Sequence, residues 1–312
     1  MANAHEYEVA AMRRAIAISA QGMGSTSPNP PVGCVILDSE GRTVGEGYHV
    51  RKGESHAEVN ALSAAGDRAE GGTAVVTLEP CNHYGRTPPC REALINANVA
   101  RVLIAVMDPT SRGEGGAALL RRAGIEVEQG FLKDEALLVL GPWQSSLNHG
   151  RPFITWIYEA GMDGNPNGDS GRGIYRGEVD SLRGSYDLVI DQEGGIEEGE
   201  SGRHGNDVFQ LPHGVLSSDA DEIVKALGGA GARSVLLSGV ANRFSLIASA
   251  GMVDQVISYL PRTPPSWSPG KDFGRVAAIP DGYRLVGLTR TESHVRVAGS
   301  RTSDFYCSSR KS

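Results

Sequence analysis

Along the first 130 residues, apolar positions fall into short runs that alternate between a helical and a strand-like period. In residues 6–21, Val9, Met12, Ile16 and Ala20 recur at helical spacing and Gly22 offers a stop, which predicts a core-facing helix. Residues 25–31 form a proline-rich loop. Residues 32–38 and 43–49 then read as two strands around Ser39-Glu40-Gly41, a hairpin. Residues 56–65 read as a helix ending at Gly66, with Ser55 a better cap than Glu54. The buried run 73–78 predicts a strand, Pro88 and Pro89 open another helix, 101–107 is strand, 115–123 helix and 125–129 a short last strand. This alternation predicts a three-layer α/β domain with a mostly parallel sheet after the opening hairpin.

Residues 133–140 predict one more helix. The linker-like Asn148-His149-Gly150-Arg151-Pro152 follows, so the expected domains are 1–147 and 148–312. Beyond it, strand-like runs stand at 153–158, 188–191, 234–237, 255–260 and 294–298, with a helix at 220–227. Residues 191–207 hold six acidic residues and five glycines, a mixture that predicts a mobile loop.

Composition narrows the function classes. A chain of 312 residues with 40% hydrophobic content can fill two cores. No run of about 18 apolar residues occurs, and the start lacks a basic and then apolar signal region, so a soluble cytoplasmic protein is expected. With 30 Lys and Arg against 37 Asp and Glu, the net charge of -7 disfavours a polynucleotide track and favours a small-molecule substrate. Four cysteines make no disulfide framework: Cys34 reads as a buried strand residue and Cys307 lies in a polar tail.

Cys81 and Cys90 are explained better by metal chemistry. Ser55-His56-Ala57-Glu58, Glu79-Pro80-Cys81 and Pro88-Pro89-Cys90 supply an imidazole, a carboxylate and two thiols in the order of a zinc deaminase. A catalytic zinc takes three protein ligands and keeps one position open, and His56, Cys81 and Cys90 are the three. Two thiolates leave bound water less acidic than three imidazoles would, so a neighbouring base is needed, and Glu58 is placed to carry the proton. A structural zinc would need a fourth protein ligand instead. A histidine near a helix start or a lone Pro-Cys pair would by itself be ordinary structure; the combination carries the reading.

Residues 26–33 (Thr-Ser-Pro-Asn-Pro-Pro-Val-Gly), 45–49 (Gly-Glu-Gly-Tyr-His), 56–59 (His-Ala-Glu-Val) and 77–90 (Thr-Leu-Glu-Pro-Cys-Asn-His-Tyr-Gly-Arg-Thr-Pro-Pro-Cys) closely resemble the deaminase domain of the bifunctional riboflavin-biosynthesis deaminase-reductases. Eight residues separate the two cysteines, where many relatives in the wider cytidine-deaminase superfamily have two. The resemblance implies a cytidine-deaminase-like α/β/α domain that replaces the 2-amino group of 2,5-diamino-6-(5-phosphoribosylamino)pyrimidin-4(3H)-one, giving 5-amino-6-(5-phosphoribosylamino)uracil. It further implies that Asn29 and His49 contact the pyrimidine or ribose, that Arg86 faces the phosphate, and that His83 and Asp108 line the substrate. Read as isolated residues, Asn29 is a turn former and Arg86 a solvated loop charge; His83 divides between substrate contact and support of the ligands. Thr110 stands where the family's Asp-Pro-Asn element has asparagine, and loses one of the amide's two bonds.

In the second half, Arg151-Pro152 and Met162-Asp163-Gly164 resemble the opening of the family's reductase domain, which implies a dihydrofolate-reductase-like α/β fold, shortened between Asp207 and Leu216. Ile157 falls where the family carries lysine, Gly161 where it carries serine, and Ser238-Gly239-Val240 replaces a Glu-Gly-Gly phosphate loop. Asp254 keeps a segment that is structural in the family. The expectation is zinc as sole cofactor, no NADPH site, and a second domain that supports the first or a homodimer contact. Three other readings stay open: a deaminase of a related pyrimidine or purine, a still bifunctional enzyme, and a non-catalytic scaffold, for which Glu58 would have no use.

Overall fold

The computed structural model describes residues 5–84, 88–111, 113–161, 165–167, 176–200, 209–212, 214–217, 219–261, 279–290 and 294–301. Arg86, Met162-Asp163-Gly164 and Cys307 lie outside them, as does part of 207–216. The chain divides into two compact units, Met1–Gln144 and Ser145–Ser312.

The first unit runs α1 (Glu6–Ser19), β1 (Gly33–Leu37), β2 (Thr43–Tyr48), α2 (Ala57–Ala65), β3 (Thr73–Leu78), α3 (Cys90–Asn96), β4 (Arg101–Val106), α4 (Gly115–Arg122) and β5 (Glu126–Gln129), and α5 (Lys133–His149) carries the chain past the division. Its sheet has the order β2-β1-β3-β4-β5. β1 pairs antiparallel with both β2 and β3, while β3, β4 and β5 are parallel, as the alternation of elements predicts. Strand side chains alternate between two buried faces. On one, Cys34, Ile36, Val76, Val102 and Ile104 meet Ala57 and Ala61 of α2, Leu94 of α3 and Leu120 of α4. On the other, α1 packs over β1 and β3.

Two local expectations need correcting. The buried stripe of α1 is Glu8, Ala11, Met12, Ala15, Ile18 and Ser19, whereas Val9 and Ile16 are half-buried and Ala20 is exposed. The sheet lies so close that a Cβ at Gly33 would stand 2.1 Å from the Ala15 carbonyl oxygen, so small side chains fill that face. Glu8 is admitted because the guanidinium of Arg101 pairs with it. Helix α5, expected to stop at 140, continues through Pro142 to His149, and Trp143 on this extension donates Nε1–H to the Pro28 carbonyl at 3.2 Å.

The second unit contains β6 (Phe153–Glu159), α6 (Arg176–Arg183), β7 (Leu188–Ile190), β8 (Ile196–Glu198), α7 (Ala220–Gly229), β9 (Ser234–Ser238), α8 (Asn242–Ser249), β10 (Gln255–Pro261), β11 (Tyr283–Arg290) and β12 (His294–Arg301). Its sheet order is β11-β12-β10-β6-β9-β7-β8. Trp156, Tyr158, Leu227, Leu237 and Phe244 fill one side of it. The fully buried Asp254 holds Arg151 through two bonds of 2.7 and 2.6 Å and accepts the Ile154 N–H at 2.7 Å. Within the expected loop over 191–207, the described part is built: Asp191 Oδ1 accepts the N–H groups of Gly194 and Gly195, which turns the chain into β8 against β7. Residues 201–207 of that stretch lie outside the described ones. No helix among the described residues is long and apolar enough to cross a membrane.

Candidate metal centre

Two helix starts and the end of a strand meet at one place. His56 is the N-cap of α2, in an extended conformation, a place the sequence assigned to Ser55; Cys90 is the first residue of α3; and Cys81 follows the end of β3. Helix α2 reaches this position because β2 offers glycine where the helix passes: a Cβ at Gly47 would lie 2.4 Å from the Ala61 nitrogen.

The imidazole Nδ1 and the two sulfur atoms all lie within 4.8 Å of one another. His56 Nδ1 is 3.1 Å from Cys90 Sγ and 3.6 Å from Cys81 Sγ, and the Cys90 backbone N–H donates to Cys81 Sγ at 3.3 Å. In a tetrahedral shell, zinc–nitrogen near 2.0 Å and zinc–sulfur near 2.3 Å put the two donor types about 3.5 Å apart. The triad therefore fits zinc in both donor chemistry and spacing, with Nδ1 as the imidazole donor.

The electrostatics of the cluster are coupled. Cys81 is lowered to about 4, first by the hydrogen bond with the Cys90 thiol and then, against burial, by His56. Cys90 is raised by that same bond and by burial, so the pair shares a proton that Cys90 keeps. His56 is raised, chiefly by its bond to Cys81. Glu58, 3% exposed in the first turn of α2, is raised by burial, with the His56 charge opposing. The Glu58 carboxylate in turn helps raise the Cys90 thiol. Cys34, fully buried in β1, has its thiol pushed far up by burial and by the charge of Glu58.

Of the residues assigned to substrate, Asn29 and His49 adjoin this cluster. The His49 ring stands edge-on to His56 at 5.3 Å, its Nδ1 is 3.2 Å from the Ser55 carbonyl oxygen, and its Nε2 is 3.4 Å from Asn29 Nδ2. Burial lowers the His49 pKa, with the bond to Ser55 opposing. Because a carbonyl only accepts, Nδ1 carries the proton, and the neutral ring turns its Nε2 lone pair toward Asn29. His83 is exposed, two positions beyond Cys81. Asp108 is half-buried past the end of β4; its Oδ1 accepts the N–H and hydroxyl of Thr110 at 2.8 and 2.7 Å. Thr110 thus stabilises the turn itself. No sequence signal marks Asn60, whose Nδ2 donates to the Tyr48 and Ser55 carbonyls at 2.9 and 3.3 Å and so holds the strand before His49 to the start of α2.

Residues 5–106 match the family model described as the cytidine and deoxycytidylate deaminase zinc-binding region. A diaminohydroxyphosphoribosylamino-pyrimidine deaminase of Buchnera aphidicola is 49% identical over 126 residues, which are 40% of this chain and 85% of that protein. The chain belongs to the riboflavin-biosynthesis deaminase family. Within this family, the riboflavin biosynthesis protein RibD of Escherichia coli is 48% identical over 154 residues, 49% of this chain and 42% of that protein. The RibD of Mycobacterium tuberculosis is 48% identical over 157 residues, and 46% of it is covered, so these matches span less than half of their relatives' length. Among solved structures, a RibD of Acinetobacter baumannii superposes with TM-score 0.73 at 28% identity, covering 95% of this chain and 99% of that one. A deaminase/reductase of Thermotoga maritima superposes with TM-score 0.76 at 24% identity over the same shares, a likeness of fold. The fold is thus an N-terminal deaminase domain followed by a reductase-like domain.

Proposed function

We propose that the protein hydrolytically deaminates 2,5-diamino-6-(5-phosphoribosylamino)pyrimidin-4(3H)-one to the corresponding uracil. The observation that carries this is the His56, Cys81 and Cys90 triad at zinc-ligand spacing, with the buried carboxyl of Glu58 against it. The Buchnera relative bears the name of this deaminase, which supports the substrate. Zinc, when bound, supplies the Lewis acidity that makes water nucleophilic near neutral pH.

Every other step belongs to the chain. Glu58 takes a proton from the attacking water and passes it to a ring nitrogen, then takes the second proton from the new hydroxyl and gives it to the departing amine, so that water enters and ammonia leaves. Burial raises the Glu58 pKa, the direction that suits a carboxyl which must both accept and return a proton. Asn29 and His49 orient the base, and Asp108 and His83 complete its surroundings. Arg86 is the phosphate partner, since a guanidinium grips phosphate in two places.

The second unit, in this reading, does not reduce the product. Ile157 is fully buried among Val189, Leu236 and Ile257, which supports an apolar role at the position where relatives carry lysine. The Val240 N–H donates to Gln192 Oε1 at 3.4 Å, so an amide of the would-be phosphate loop is engaged within the protein. The test supplies the diaminopyrimidinone phosphate with and without NADPH and weighs the product. The uracil with matching ammonia in both cases is expected. Absence of ammonia overturns the substrate assignment, and a reduced product overturns the reading of the second unit in favour of a bifunctional enzyme.

A further inference from the structure

Glu79 is 5% exposed and directly follows β3, where its own N–H donates to the Val106 carbonyl of the neighbouring strand at 2.8 Å. Its carboxylate reaches across to two separate backbone groups. One oxygen accepts the Ala117 N–H at 3.0 Å, and the other accepts the Asp108 N–H at 3.3 Å. Ala117 is in the first turn of α4, where amides have no partner inside the helix, and the local N-cap Glu114 makes no side-chain cap. A cap from another loop is thus supplied by Glu79, with its negative charge at the favourable end of the helix dipole.

Glycine makes this approach possible. A Cβ at Gly116 would sit 1.9 Å from the Pro80 carbonyl oxygen, and one at Gly115, where φ is +80°, would sit 2.5 Å from Glu79 Oε1. The start of α4 therefore rests directly on Glu79-Pro80, immediately before Cys81.

We infer that Glu79 is a positioning residue that ties the loop carrying Cys81 to the loop carrying Asp108, so that the metal side and the substrate side of the centre hold one register. The inference rests on the deaminase reading above. A glutamine at this position keeps one acceptor oxygen and turns an NH2 group toward an N–H, so it satisfies only one of the two amides. Loss of the Asp108 bond loosens the tie between the two loops beyond the strand pairing, and loss of the Ala117 bond leaves the start of α4 uncapped.

The test compares wild type and Glu79→Gln as cobalt(II)-substituted full-length proteins, alongside the kinetics of the zinc forms. A changed visible d–d absorption and a drop in kcat/KM on the order of 10–100-fold are expected for the variant. An unchanged spectrum together with unchanged kcat/KM overturns the inference. Where Glu79→Gln does not fold, hydrogen exchange on the wild type decides: stripping zinc with EDTA should speed exchange at the Asp108 and Ala117 amides along with the cysteine loops. Acceleration confined to the cysteine loops overturns the inference. Neither the spectrum nor the exchange depends on ammonia release, so a wild type that binds metal but leaves the pyrimidine untouched would fault the substrate alone.

Discussion

Glu58 and Cys90 are buried and Cys81 half-buried beside a single imidazole, and their proton affinities depend on one another. Replacing the carboxyl by an amide removes the proton carrier and leaves the donors in place. Glu58→Gln is therefore expected to keep stoichiometric zinc, read by metal analysis, while kcat falls by about 100- to 10,000-fold. Cys90→Ala should instead lose the metal, since two donors remain. The sign of the pH dependence follows from the same groups: His56 and Cys90 both hold protons more firmly than usual, and zinc displaces those protons. Apparent zinc affinity, measured by chelator competition on either side of neutrality, should weaken as pH falls and strengthen as it rises. At this scale the donors were legible because few residue types can serve zinc. Glu79 and Asn60 were not, because capping an amide from a distant loop leaves no spacing in the chain.

Helix α2 carries both His56 and Glu58, and its seat on β2 depends on Gly45 and Gly47. In Gly47→Ala the added methyl would meet the Ala57 carbonyl oxygen at 2.6 Å as well as the Ala61 nitrogen, so the helix must move. A loss of about 1–3 kcal/mol in urea unfolding is expected, together with weakened zinc retention. The same close packing explains where element reading fell short. Strong apolar periodicity marks helices whose large side chains enter the core, but α1 buries alanines and a paired glutamate, so its inner face was misplaced by about one position. Strands buried on both faces, such as β3, β4 and β9, were plain as continuous apolar runs. The edge strand β11 was not: Leu285, Val286 and Leu288 are exposed, and its residues follow no inward and outward alternation. Strand β8 was hidden by acidic residues and glycines that read as loop.

Across the whole molecule, the His56, Cys81 and Cys90 cluster lies in the first unit, and the second has its own core and buried ion pair. Asp254→Ala would leave Arg151 and the Ile154 N–H without their carboxylate, a loss of about 3–5 kcal/mol in the second unit. Thermal unfolding should show that loss while zinc content stays stoichiometric, because the donors lie elsewhere. A two-domain chain was expected from the linker composition of residues 148–152, and the chain divides into two compact units. What the second unit does was less legible, since Ile157 and Gly161, at positions where the resemblance implies polar side chains, do not by themselves assign that unit a role. The most direct test of the central claim is the reaction of the zinc-loaded chain with the diaminopyrimidinone phosphate in oxygen-18 water. One heavy oxygen in the uracil product, matched by one ammonia and abolished in Glu58→Gln, is the expected result. Ammonia formed without heavy oxygen, or undiminished in that variant, would contradict it.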